Sequence, residues 1–180
     1  MTAPALAPAK SRWPRILGLV IAFALLAAAG LLGFDKWRNR DGGEVLVTSG
    51  GQLGAAVKDG KFVFTVTAVR CRVAKVSDGS VDVEPKGSFC LADVIVRNAS
   101  SRAAPFDSAA QVAYDDKGAE FATDMQAGVV VNPDRNFIYP INPGSQARGT
   151  LIFDVPKGGT LTSLVLHESF DTGGAKIAVS

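Results

Sequence analysis

Cys71 and Cys90 are the only thiols in the 180-residue chain, and the chemistry open to them is oxidation to a disulfide. One closes a predicted strand and the other opens the next long one. A loop of this length makes a disulfide worth roughly 3 kcal/mol in the chain-entropy model. Two separate buried thiols are the alternative. A metal or redox pair is disfavoured, because there is no C-x-x-C and only one histidine. That histidine is His167. No G-x-S-x-G accompanies it, and Glu168, the nearest carboxylate in sequence, points to the opposite face of a strand. His167 therefore reads as a polar residue near a strand end. Asp78-Gly79-Ser80-Val81-Asp82-Val83-Glu84 places oxygens at alternate positions, faintly as in a calcium loop. It lacks the glycine at the sixth position and the distal bidentate glutamate, so it reads as a solvated turn. Asn98-Ala99-Ser100 fits a glycosylation triplet. Phe137, Ile138 and Tyr139 sit beside Pro140 and Asn142-Pro143-Gly144, and an apolar cluster on a loop is a candidate partner-binding patch. Packing at the end of the fold is the competing reading. There is no P-loop, dinucleotide fingerprint or H-E-x-x-H motif, so no cofactor, metal or enzymatic activity is expected.

The elements that must position these residues are strands. From residue 53 the hydrophobic period is two rather than 3.6. Segment 61–71, KFVFTVTAVRC, is dense in β-branched and aromatic residues, with Phe62, Phe64 and Val66 on one face. Segment 89–98 places Cys90, Ala92, Val94 and Val96 on one face and Asp93 and Arg97 on the other. Residues 111–123 read as a hairpin turning at Asp115-Asp116-Lys117-Gly118. Further strands are expected at 128–131, 136–139, 146–155, 161–167 and 175–179, with no helix. Turn signals such as Asp59-Gly60, Asn132-Pro133 and Gly173-Gly174 separate them. This pattern predicts an antiparallel β-sandwich over 53–180.

The start of the chain differs. Residues 16–34, ILGLVIAFALLAAAGLLGF, carry no charge. As a helix they span about 28 Å, close to the hydrocarbon thickness of a bilayer. Trp13 and Trp37 flank the run, where amphipathic rings favour the interface. The expected organisation is a cytoplasmic tail over 1–15, a transmembrane helix over 16–34 and a linker over 35–52. Within that linker a short EVLV run at 44–47 is a candidate edge strand. Cleavage after Ala29, in an Ala27-Ala28-Ala29 site, competes with an uncleaved anchor. Residues 1–40 hold six basic residues and one acidic, whereas the rest holds 13 basic and 16 acidic. The positive charge thus belongs to the membrane flanks, which suits anionic headgroups. The mildly acidic remainder argues against nucleic acid as a partner.

The soluble part resembles a known family. VKDGKFVFTVTAVRC (57–71), GSFCLADVIVRNAS (87–100), FD (106–107), YDDKGAEFATD (114–124), INPGSQARGTLIFDVPKG (141–158) and LVLHES (164–169) look like an actinobacterial membrane-anchored immunoglobulin-like domain of unknown function. That family is related in fold to a secreted immunoprotective extracellular antigen. The resemblance implies an immunoglobulin-like β-sandwich outside the cytoplasmic membrane and suggests pairing of Cys71 with Cys90. It implies almost nothing about activity, since fold does not fix function. The expected function is a non-enzymatic cell-envelope module, anchored in the lipid bilayer through 16–34 and binding an unidentified protein or glycan. The alternative is a carrier or sensor of a small apolar ligand held between two sheets.

Overall fold

Alternation of inward apolar and outward polar side chains builds two sheets, seen in a computed structural model that describes residues 50–134 and 136–180. Strands β1 (Gly51–Gln52), β2 (Ala56–Asp59), β3 (Phe62–Val73), β4 (Val76–Ser77), β5 (Asp82–Val83) and β6 (Ser88–Asn98) come first. A 3-10 turn at Ser108–Ala110, β7 (Val112–Tyr114), β8 (Glu120–Ala122), α1 (Met125–Val131), β9 (Gln146–Val155), β10 (Ser163–Leu166) and β11 (Ala175–Ala178) follow. One sheet has the order β2-β3-β6-β9 and the other β1-β11-β10-β7-β8, with β4-β5 a separate ribbon. The pairs are antiparallel except β1 with β11, which run parallel, a departure from the purely antiparallel expectation.

Phe62, Phe64 and Val66 of β3, and Cys90, Ala92, Val94 and Val96 of β6, face the other sheet and are buried. Phe153, Leu164, Leu166 and Ile177 meet them there with no exposed area. Outward-facing Phe89 and Leu91 are also buried, contrary to simple alternation. They join Ile152, Val76, Val83, Ala127 and Val130 in a second small core. Thus α1 and the β4-β5 ribbon cover one end of the four-stranded sheet from outside. Cys71 and Cys90 are disulfide-bonded with their Cα atoms 3.9 Å apart. The bond crosses β3 and β6 where the register slips between Arg70 and Val73.

Two strand expectations are corrected. Residues 128–131 belong to α1, and 136–139 form turns. Asp124 caps the helix by accepting from the Ala127 N–H, and Asn132 and Pro133 end it. Ala127 and Val130, three apart, face the protein. A four-residue apolar run such as GVVV cannot be told from a buried strand by period alone. At 136–139 the chain is held instead by Phe137, whose ring lies on Gly149 of β9. A Cβ at Gly149 would collide with that ring.

Side-chain amides close the exposed edge of β9. Asn132 Nδ2 donates to the Thr150 carbonyl at 2.9 Å, and its Oδ1 accepts from the Thr150 N–H at 2.8 Å. Asn136 Nδ2 donates to the Arg148 carbonyl. Such capping removes a template on which another strand could pair.

The transmembrane helix expected at 16–34, the tail 1–15, the EVLV run at 44–47 and most of the linker lie outside the described residues. Among the described residues no helix is long and apolar enough to cross a membrane.

Candidate functional site

Two capped turns stand side by side where β7, β8 and β9 meet α1. Asp107 accepts from the Ala109 N–H and Asp124 from the Ala127 N–H, each at 2.9 Å through Oδ1. Each leaves Oδ2 without a partner among the described residues. The Thr123 hydroxyl donates to the Ser108 carbonyl and ties the turns together. Hydroxyls of Ser108 and Thr123 also approach the Met125 sulfur at 3.6 and 3.8 Å.

Between α1 and the 136–141 turn segment lies a groove of about 240 Å³. Its floor is Phe106, Phe137, Leu151 and Ile152. The Phe106 and Phe137 rings meet edge to face, with centroids 4.9 Å apart, a favoured aromatic arrangement. Along its rim Val129 and Ile138 are 61% and 60% exposed, with half-exposed Met125 beside them. Met125 and Val129 are four apart on α1 and so share a face.

The cluster singled out in the sequence therefore divides. Phe137 packs inward, Ile138 joins the groove rim, and Tyr139, 64% exposed, borders a separate hollow with Asn136 and Arg148. Val129 falls inside the strand expected at 128–131, and Met125 lies in no expected element. The signal for them was Asp124 followed by apolar residues at helical spacing.

The other singled-out residues serve local structure. Asp78 accepts from the backbone N–H groups of Val81 and Ser80, which hold its carboxyl below the usual range. Asp82 pairs with Lys75 at 2.6 Å, and that bond likewise lowers its pKa. Two of the three carboxylates of the calcium-like stretch, Asp78 and Asp82, are thus engaged by a turn and an ion pair. Among the described residues no group of three or more His, Cys, Asp or Glu side chains could hold a metal. Asn98 is buried with its carboxamide fully bonded. His167 follows β10, its Nδ1 3.0 Å from the Thr172 carbonyl.

With this geometry in place, residues 51–177 match a family described as a domain of unknown function (DUF4352). The chain belongs to the DUF4352 family. Among solved structures the DUF4352 domain is similar to the yjhA protein from Bacillus subtilis, at 13% identity and a TM-score of 0.52, over 72% of this chain and 99% of that one. It is also similar to MPT63, a secreted protein from Mycobacterium tuberculosis, at 15% identity and a TM-score of 0.50, over 66% of this chain and 88% of that one. These likenesses bear on the β-sandwich fold alone. No curated protein matches.

One ionisation of the DUF4352 domain can be tested directly. Tyr114 donates its hydroxyl hydrogen to Glu120 across the β7-β8 hairpin. That bond, with burial and the Glu120 charge behind it, pushes the phenol from 10.0 up to about 12. A raised phenol pKa means the neutral form is favoured by folding. The stabilisation is complete below pH 10 and is lost as pH rises through about 12. Ultraviolet titration should show this late phenol, and Glu120→Gln should bring its midpoint down. An unmoved midpoint in E120Q would assign the shift to another cause.

Proposed function

We propose that this chain is a non-enzymatic recognition module of the cell envelope. Residues 16–34 anchor it in the bilayer with the N-terminus cytoplasmic, and the sandwich faces outward. Its groove grips a protein partner by one large apolar side chain flanked by cations. The observation that carries this reading is the groove rim. Met125, Val129 and Ile138 stand in solvent above an aromatic floor, the arrangement expected where a partner's anchor residue inserts. The volume suits one side chain better than a drug-sized ligand, for which roughly 300–1,000 Å³ is usual. Charge selects the flanks. Asp107 and Asp124 offer free carboxylate oxygens at the rim, with no cation paired to either among the described residues. The space between the sheets is filled by Phe62, Phe64, Phe153 and Leu164, which weighs against a carrier holding its ligand there.

A membrane-impermeant, biotinylated, photoreactive Lys-Trp-Lys peptide added to intact cells tests the reading. It should label the full chain, Ile138→Asp should reduce labelling at least tenfold, and a Glu-Trp-Glu peptide should label poorly. Ile138 is exposed, so I138D should leave the melting temperature unchanged. Labelling only after lysis would overturn the orientation. Equal labelling of I138D, or of both peptides, would overturn the groove as the contact.

A further inference from the structure

An antiparallel sheet with one solvated face should carry polar residues outward. The outer face of the five-stranded sheet departs from this along one row. Register places Lys176, Val165, Val112 and Ala122 in one row across β11, β10, β7 and β8. Three of the four are apolar, and Val165 at the centre is only 6% exposed. Around this row lies a hollow of about 520 Å³, walled by His167, Tyr114, Glu120 and Phe170. Phe170 is 70% exposed, the most exposed large apolar side chain among the described residues. The volume falls within the usual range for small-molecule sites.

Three of the four walls are held by hydrogen bonds. Gln111, itself buried, accepts from the His167 N–H at 2.7 Å and donates to the His167 carbonyl at 3.0 Å. Nδ1 faces the Thr172 carbonyl, which can only accept, so that nitrogen carries the hydrogen. Gly174 lies so close to the ring that a Cβ there would strike it. At the far side Glu120 is bonded to the Tyr114 hydroxyl.

Charge in this hollow is separated. The basic residues, Lys176 and His167, belong to the β10-β11 side, and the single acid, Glu120, stands on β8. Lys176 and Glu120 are three strand spacings apart across the sheet and two residues apart along it, roughly 16 Å. Lys176 has no ion-pair partner among the described residues. We infer that this face binds a monocarboxylate on a short apolar chain. Its carboxylate meets Lys176, and its chain lies over Val165 and Val112 beside Phe170. Glu120 disfavours a second carboxylate at the far end. This site is separate from the groove beside α1 and does not depend on the reading given for it.

Octanoate is a suitable probe, with the full chain held in lipid nanodiscs and methyl resonances of Val165, Val112 and Ala122 as the readout. Octanoate should shift those resonances and bind at least tenfold more tightly than octanol, octylammonium or octanedioate. Lys176→Gln should weaken octanoate at least tenfold while leaving octanol unchanged. Phe170→Ala should weaken octanoate and octanol together. Both residues are exposed, so neither variant should alter folding, and local methyl shifts separate binding from partition into the lipid. Octanoate affinity unaffected by K176Q would overturn the inference. So would octanol or octanedioate binding as tightly as octanoate, or shifts confined to other methyls.

Discussion

Replacing both Cys71 and Cys90 with Ala should lower the unfolding free energy by about 3 kcal/mol and the melting temperature by roughly 10 °C. The bond joins residues 19 apart, and most of its expected effect lies in restricting the unfolded chain. Strain in the native state beside the bond works in the opposite direction and offsets part of this. Arg72, next to Cys71, has a φ of 64°, which costs a non-glycine residue roughly 1–2 kcal/mol. It sits in the register slip between Arg70 and Val73, directly beside the cross-strand bond. The closed loop also carries the β4-β5 ribbon, whose Val76 and Val83 pack against α1. Loss of the bond should therefore loosen α1 before the sandwich itself. Hydrogen exchange at Ala127 and Val130 should accelerate more than exchange at Val94 and Val96. Uniform acceleration would show that the effect is confined to the unfolded chain. A melting point unchanged by the double replacement would show that the bond does not stabilise the domain.

The parts of the fold legible in the sequence are those where one face is apolar and the other polar. Residues 62–66 and 92–97 alternate between buried and outward side chains, and both stretches lie in long central strands. The hairpin at 111–123 carries its own turn residues, and β7 and β8 pair across them. Reading fails where a residue's neighbours come from distant parts of the chain. Phe89 and Leu91 look solvent-facing until α1 and the ribbon cover them. Phe137 looks like part of a strand or an exposed patch until Gly149 gives its ring a seat. The candidate groove was half visible for the same reason. Ile138 stood out within its cluster, but Met125 and Val129 become a rim only once Asp124 starts a helix. The apolar row on the outer sheet joins four strands from three parts of the chain, and only register assembles it.

Asn98→Ala should cost about 2–3 kcal/mol, which is large for the loss of one polar side chain. Asn98 ends β6 with no exposed surface. Its Nδ2 uses both hydrogens, donating to the carbonyls of Arg102 and Ile141, each at 2.7 Å. Its Oδ1 accepts from the Ser100 N–H at 2.9 Å and the Ser100 hydroxyl at 2.8 Å. Four bonds thus fasten the 99–102 turn to the segment around Ile141, beside the Ala104–Ile141 bridge. Alanine would leave the Ser100 N–H unpartnered, whereas the Ile141 carbonyl keeps the Ala104 N–H and the Ser100 hydroxyl, released from Oδ1, can turn its one hydrogen to the Arg102 carbonyl 2.9 Å away. That retained pairing sets the estimate below the sum of four separate losses. Asn98→Asp should be worse, because it aims a carboxylate at two carbonyl oxygens in a buried site. Ser100→Ala, which keeps the backbone acceptance, should cost only about 1 kcal/mol. Urea unfolding of the three variants orders these effects. Equal losses for N98A and S100A would show that the Nδ2 donations contribute nothing. The same geometry bears on the glycosylation triplet. A glycan on Nδ2 would take one of the two hydrogens that hold these turns together, so modification and this fold exclude each other at Asn98.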